Sequence, residues 1–361
     1  MVLNIINVTK KFDDFSLGPI NTIFDNNITV VIGSTGSGKT TLINLIAGIL
    51  KPDTGQIMID TIDITNQVIE ERKIGYVFQD PSLFPHLNVY DNILFGLRKK
   101  ERKLKEKITY TKKIIDELGI HHLLDRNINN LSGGERQKIS LARMLVLNPK
   151  IILLDEPLSH IDPIGREKLR GELRSILKKQ MVPTIYVTHF EEDVYSLADS
   201  IIILENGKIE QNGTFEDLLN NNMRSSSEFT EKILAVGNYL IGEVIYSQDN
   251  LTKVKVGENI LYAIGKFSCK SQIGMIVKRE DILLSRKKII TSARNIIFVK
   301  IIDMRHTLNM VDVYLRSTNL NLVARITKDA AEELEITIGE HIYAIFKASA
   351  PHLIRQENNL H

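Results

Sequence analysis

The sequence predicts an α/β P-loop fold over residues 1–220, followed by an all-β barrel or sandwich from about residue 237. Three observations predict it. The stretch GSTGSGKT (33–40) is a complete phosphate loop set between an apolar strand and a helix. Runs such as ITVVI and IILLD are apolar without alternation, as in a parallel sheet covered on both faces. Beyond residue 237 the pattern changes to short alternating stretches, LTKVKVG, NLVARI and HIYAIFKA, separated by Gly and Asn.

Along the chain, ITVVIG reads as a strand entering a Gly-rich turn, and TTLINLIAGIL has helical spacing. Residues from about 88 to 135 are helical and charged, which predicts a helical subdomain beside the sheet. IILLDE and PTIYVTH read as buried strands, and ILENGKIEQNG, with Asn206-Gly207 between two short runs, as a closing hairpin. NNNMRSSSEF is polar and aperiodic, so 221–236 is expected to be a linker. The β-rich part, 237–361, is expected to hold two small β subunits, about 237–288 and 289–355, because IGMIVKRED loosely matches IGEHIYAIFKASA.

Composition narrows the function. With 46 Lys plus Arg against 44 Asp plus Glu, the net charge of +2 gives no reason to expect nucleic acid as a partner. Cys269 is the only cysteine, which excludes an intrachain disulfide and a cysteine-built metal site and fits a reducing, cytosolic compartment. MVLNIINVTKKF does not read as a signal peptide, and no apolar run approaches the ~18 residues that span a bilayer. Any membrane role is expected to be that of a peripheral subunit.

The chemistry begins at the phosphate loop. Its glycines let the backbone curl so that successive N–H groups face phosphates, which makes Gly33, Ser34, Thr35, Gly36, Ser37, Gly38, Lys39, Thr40 and Thr41 the nucleotide-binding candidates. Lys39 would reach the β and γ oxygens of ATP or GTP, and the Thr40 hydroxyl would ligate Mg²⁺. IILLDEP delivers two adjacent carboxylates at a strand end: Asp155 for the Mg²⁺ shell, and Glu156 to orient or deprotonate the attacking water. Gln79 and His189 also close apolar strands, where side chains point into the ligand crevice of a doubly wound sheet. A second anion-seeking helix start, LSGGERQ (131–137), lies far from the phosphate loop in sequence.

Taken in order, GSTGSGKT, Gln79, LSGGE, IILLDE, SHID and His189 resemble the ATP-binding cassette (ABC) family over residues 1–220. That resemblance implies an ABC ATPase domain working as a head-to-tail homodimer, in which Ser132, Gly133 and Gly134 cap the γ-phosphate held by the partner copy. It also implies Gln79 as a sensor of Mg²⁺ and water, His189 as a γ-phosphate contact, Asp162 at the dimer seam and Phe12 stacked on adenine, with Phe15 as a rival. Glu135 stands where glutamine is usual in this family, and His160 where a small residue is usual.

FQDPSLFPHLNVYDNILFGL (78–97) is similar to the segment that meets the permease subunit in importer ATPases. RKKERKLKEK reads as a solvated, charge-laced helix. In the tail, TSARNI and YAIFKASAPH look like the OB-like MOP/TOBE fold found in molybdate and tungstate importers. The matching positions are Ser292, Ala293, Arg294, Asn295, Lys347, Ala348 and Ser349, where backbone N–H groups and hydroxyls would hold an oxyanion. The expected role is thus the ATPase subunit of an oxyanion importer at the cytoplasmic face of the membrane, served by an external oxyanion receptor and inhibited when excess oxyanion binds the tail. Import of sulfate, polyamine or sugar is the alternative within the class. A DNA-repair or translation cassette would need coiled-coil insertions or a second cassette, and a free oxyanion sensor would not bind a permease.

Overall fold

The computed structural model describes residues 1–220 and 237–355, apart from 266, 308 and 319. The expected linker, 221–236, lies outside the described residues. The chain forms two units, Met1–Thr230 and Glu231–His361.

The first unit opens with β1 (Leu3–Lys11), β2 (Ser16–Phe24), β3 (Ile28–Ile32), α1 (Lys39–Ala47), β4 (Thr54–Ile59) and β5 (Ile62–Asp63). β6 (Ile74–Val77), α2 (Val89–Leu94), α3 (Lys105–Leu118) and α4 (Gly133–Leu145) lead to β7 (Ile151–Asp155). α5 (Pro163–Gln180), β8 (Thr184–Thr188), α6 (Glu191–Leu197), β9 (Ser200–Glu205), β10 (Lys208–Gly213) and α7 (Phe215–Asn220) complete it.

β3, β7 and β8 are buried at every residue, as uninterrupted apolar runs require when both faces of a sheet are covered. They lie in a six-stranded sheet of order β10-β9-β3-β8-β7-β6, parallel except for β10. A second, antiparallel sheet, β2-β1-β4-β5, shares a core with α1 and the parallel sheet through Leu3, Phe24, Leu42, Ile46, Leu153 and Val187. Each such side chain, buried fully, contributes roughly 1.5–3 kcal/mol. Asn206 and Gly207 have φ of 47° and 75° between β9 and β10, the positive pair that a two-residue hairpin turn needs. α2, α3 and the start of α4 occupy the region expected to be a helical subdomain.

The second unit contains β11 (Gly237–Gln248), β12 (Leu251–Val256), β13 (Asn259–Ile264), β14 (Gln272–Lys278), β15 (Leu283–Ser285), β16 (Asn295–His306), β17 (Met310–Ser317) and β18 (Leu320–Thr327). α8 (Lys328–Glu333), β19 (His341–Phe346) and β20 (His352–Arg355) follow. Its two five-stranded sheets, β13-β12-β11-β14-β20 and β15-β19-β16-β17-β18, enclose one apolar core that runs from Leu240 to Phe346. The halves exchange strands: β15, from the first half of this unit in sequence, pairs with β19, and the final β20 returns to β14. Neither half closes its sheet alone.

Candidate functional site

Four segments leave the parallel sheet at the C-terminal ends of neighbouring strands: the phosphate loop after β3, His189 after β8, Asp155 and Glu156 at β7, and Gln79 after β6. Register holds them level, with Ile32 opposite Thr188, Val187 opposite Asp155 and Leu154 opposite Val77. This is the crevice in which open α/β sheets take ligands.

In the loop, Gly36 and Gly38 have φ of 82° and 102°, and Gly38 caps α1, so the turn requires residues without a Cβ. At Gly33 a Cβ would sit 2.0 Å from the carbonyl of Leu204. Lys39 folds back over the loop, donating to the carbonyls of Gly33 and Ser34 at 2.8 and 2.7 Å. Burial pushes its ammonium below the ordinary lysine range, against the pull of Glu156 and Asp155. A buried ammonium held on two loop carbonyls is placed to meet an anion in the loop. Ser37 Oγ, in the same loop, is buried with no hydrogen-bond partner among the described residues, while Ser34, Thr35, Thr40 and Thr41 reach solvent in part or fully.

Thr40 Oγ1 donates to Asp155 Oδ1 at 3.4 Å, which brings two of the three expected Mg²⁺ ligands together. Burial pushes the Asp155 carboxyl above the usual carboxylate range, with the Thr40 hydroxyl opposing and the Glu156 charge adding. A cation there would remove the penalty, so one hydroxyl and one carboxylate fit an ion that takes most of its remaining ligands from phosphate and water. Tyr76, which drew no attention in the sequence, donates to Asn44 Oδ1 at 2.9 Å and lies 3.5 Å from Asp155 Oδ2.

Glu156 is held from two sides. Its Oε1 is 3.0 Å from His189 Nδ1, and Gln79 Nε2 donates to Oε2 at 3.4 Å. Its φ of 44° is left-handed, a conformation that costs a non-glycine residue on the order of 1–3 kcal/mol and clusters at functional sites. His160 adds a brace that its type did not suggest: Nδ1 lies 3.2 Å from the Gln79 carbonyl. Phe12 is 45% exposed, whereas Phe15 packs on the core and on Gly38.

Ser132 caps α4. The Ser132 backbone N–H and hydroxyl both reach Glu135 Oε2 at 2.8 Å, and the Glu135 N–H returns to Ser132 Oγ at 3.3 Å. Those donors hold the Glu135 carboxyl below its usual range. Ser132, Gly133 and Gly134 line a cleft of about 380 Å³ with His160 and Asp162; among the described residues, its lining includes none of 33–41. Asp162 caps α5 by accepting from the Gly165 N–H at 2.9 Å.

The segment 78–97 is braced by Asn92 within it and by Arg143 of α4, neither singled out in the sequence. Asn92, fully buried, accepts from the Phe84 N–H at 2.8 Å and donates to its carbonyl, and Arg143 donates to the carbonyls of Pro81 and Ser82. Phe78, Tyr90 and Phe95 remain exposed.

In the second unit Thr291, Ser292, Ala293 and Arg294 line an open cleft with Tyr262. Asn295 does not line it: the side chain is 1% exposed, accepts from the Tyr262 N–H at 2.7 Å, and donates to the carbonyls of Tyr262 and Lys347 at 2.9 and 3.4 Å. Asn295 is thus a brace between the SARN and KASA segments. Ala348 accepts from the Ile264 N–H, and Lys347 and Ser349 are exposed outside the cleft lining.

A phosphate loop, an acid pair on the adjacent strand but one and two polar strand ends on one sheet edge define a P-loop ATPase. Comparisons assign its kind: residues 20–159 match the ABC transporter family model and 291–353 the TOBE domain model. The molybdate/tungstate import ATP-binding protein WtpC of Pyrococcus abyssi is 34% identical over 352 residues, 97% of this chain and 99% of that protein. The spermidine/putrescine import ATP-binding protein PotA of Mesoplasma florum is 34% identical over 288 residues, 79% of this chain and 81% of that one. Among solved structures, cbiO1 of Clostridium perfringens, part of the ABC transporter complex cbiONQ, is 29% identical with a TM-score of 0.54, covering 62% of this chain and 94% of that chain. The chain belongs to the ABC transporter family, as an ATP-hydrolysing import subunit with a C-terminal TOBE domain. Among the described residues no helix is long and apolar enough to cross a membrane.

Proposed function

We propose that this chain powers import of molybdate or tungstate, working as a homodimer against membrane permease subunits at the cytoplasmic face, with an external receptor delivering the oxyanion. The observation that carries the substrate class is the extent of similarity. The match to the molybdate/tungstate protein runs through the tail, 97% of this chain, while the polyamine match covers 79%. The Ser292–Arg294 cleft supports it, since a divalent oxyanion needs donors and a neighbouring cation around it.

In the ATPase cycle, the loop 33–41 cradles the ATP phosphates with its N–H groups and Lys39, and the exposed Phe12 ring stacks on adenine. Thr40, Asp155 and Gln79 would hold Mg²⁺, which when bound screens the phosphate charge. Glu156 accepts the proton of the attacking water, oriented by Gln79 and by His189, whose ring also faces the γ-phosphate. Ser132, Gly133 and Gly134 cap that phosphate from the partner copy, with Asp162 at the seam. The separate signature cleft supports this two-chain site, since within one copy it shares no lining with 33–41. Hydrolysis removes the γ-phosphate that both copies grip, and the interface opens. The segment 78–97 passes that motion to the permease, and its exposed aromatics suit such docking.

Calorimetric titration of the full chain with molybdate and tungstate tests the substrate. Binding with a fall in ATPase activity is expected, and it should be lost in Arg294→Ala; absence of heat with both anions removes the tail's regulatory role.

A further inference from the structure

We propose that Glu135 is a latch on Ser132 that sets the ATP concentration at which two copies close. The proposal rests on the two-chain site above and deepens it.

A serine hydroxyl has one proton to donate. Ser132 gives it to Glu135 Oε2 at 2.8 Å, while the Ser132 oxygen accepts from the Glu135 N–H at 3.3 Å, so both of its roles are filled inside one chain. A phosphate oxygen can only accept. To donate to a γ-phosphate, Ser132 must release Glu135, exchanging one charge-assisted bond for another. The released carboxylate then stands on the same cleft as Ser132, Gly133 and Gly134, where it repels the incoming anion.

Both effects oppose binding of the partner's nucleotide, and neither touches Glu156, Gln79 or His189. Glu135 therefore raises the ATP requirement for closure and leaves the chemical step alone. The oxygen of a glutamine amide also accepts from the Ser132 N–H and hydroxyl, so Glu135→Gln keeps the helix cap and weakens the latch by removing its charge.

The test uses the full chain carrying Glu156→Gln to block hydrolysis, with light scattering to find the ATP concentration at half-maximal dimer formation. Steady-state KM and kcat are measured in chains with Glu156 intact. Glu135→Gln is expected to lower the midpoint and KM about fivefold, with kcat changed by less than about twofold. In a Ser132→Ala background only the repulsion remains, so the same substitution should shift the midpoint by no more than about twofold, less than with Ser132 present. An unchanged or raised midpoint in Glu135→Gln, while Ser132→Ala alone weakens dimer formation, overturns the latch and leaves the two-chain site standing. An equal gain in both backgrounds also overturns it, because the charge would then act without Ser132. A Ser132→Ala chain that dimerises like its parent removes the two-chain site itself.

Discussion

Glu156 Oε1 lies 3.0 Å from Nδ1 of His189, across the boundary between two neighbouring strands of the parallel sheet. Gln79 approaches the other carboxylate oxygen at 3.4 Å from the next strand along. The carboxylate that would take the proton from water is thus oriented by groups from both sides, on a residue with a left-handed φ of 44°. Glu156→Gln should lower kcat by about 10²–10⁴ while leaving ATP binding intact. Equilibrium nucleotide binding and single-turnover hydrolysis on the same preparation separate the two.

Asp155 carries a cost that a cation would lift. Burial raises its folded-state carboxyl above the unfolded value, so the folded chain holds the proton more tightly than the unfolded chain does. The resulting destabilisation is fully present above the folded value and fades as pH falls from there through the unfolded value. Asp155→Asn should therefore be more stable than the parent at neutral pH without Mg²⁺, by about 1 kcal/mol, and lose that advantage in acid. Its ATPase activity should be lost, and added Mg²⁺ with nucleotide should stabilise only the parent. Denaturant unfolding between neutral pH and pH ~4 checks the sign.

In the tail, Asn295 and Arg294 should separate cleanly. Asn295→Asp sets a carboxylate against the carbonyls of Tyr262 and Lys347 and should cost roughly 1–3 kcal/mol of tail stability, along with oxyanion binding. Arg294→Ala, at an exposed position on the cleft, should cost only binding. Thermal melts and calorimetry on the two variants distinguish the brace from the ligand.

Asp312 offers a further pH test. Burial alone would raise its carboxyl, but Arg325, at 2.7 and 2.8 Å, and Arg279, at 3.0 Å, hold it below the usual range. Stability from this cluster is present above the unfolded carboxyl value and is lost as pH falls through the folded one. Acid unfolding of the tail should be steep in the parent and shallower in Asp312→Asn, which should already be weaker at neutral pH by about 3 kcal/mol. Tail melting followed against pH reads both.

Much of this was legible in the sequence because it is local. GSTGSGKT between a strand and a helix, IILLDE as a buried strand ending in acids, and Asn206-Gly207 as a hairpin turn each carry their geometry within a few residues. The contacts that escaped join distant positions. His160 meets the Gln79 carbonyl across 81 residues, and nothing in either neighbourhood foretells it. The exchange of β15 and β20 between the two tail sheets depends on which edges the chain leaves open, whereas the sequence showed only a loose repeat. Asn295 illustrates a different limit: a polar residue in a ligand-like stretch reads the same whether it faces an anion or, as here, three backbone groups. The serine, glycine and glutamate spacing of LSGGE pointed to a helix start, but the second bond from the Ser132 hydroxyl depends on its rotamer.

The most direct test of the shared site is specific ATPase activity as a function of chain concentration, measured down to where light scattering detects single copies, with Ser132→Arg titrated into the parent. The two-chain site predicts that activity per chain falls away on dilution and that Ser132→Arg, inactive alone, suppresses the parent by pairing with it. Undiminished activity per chain in single copies, together with a Ser132→Arg chain as active as the parent, would contradict it.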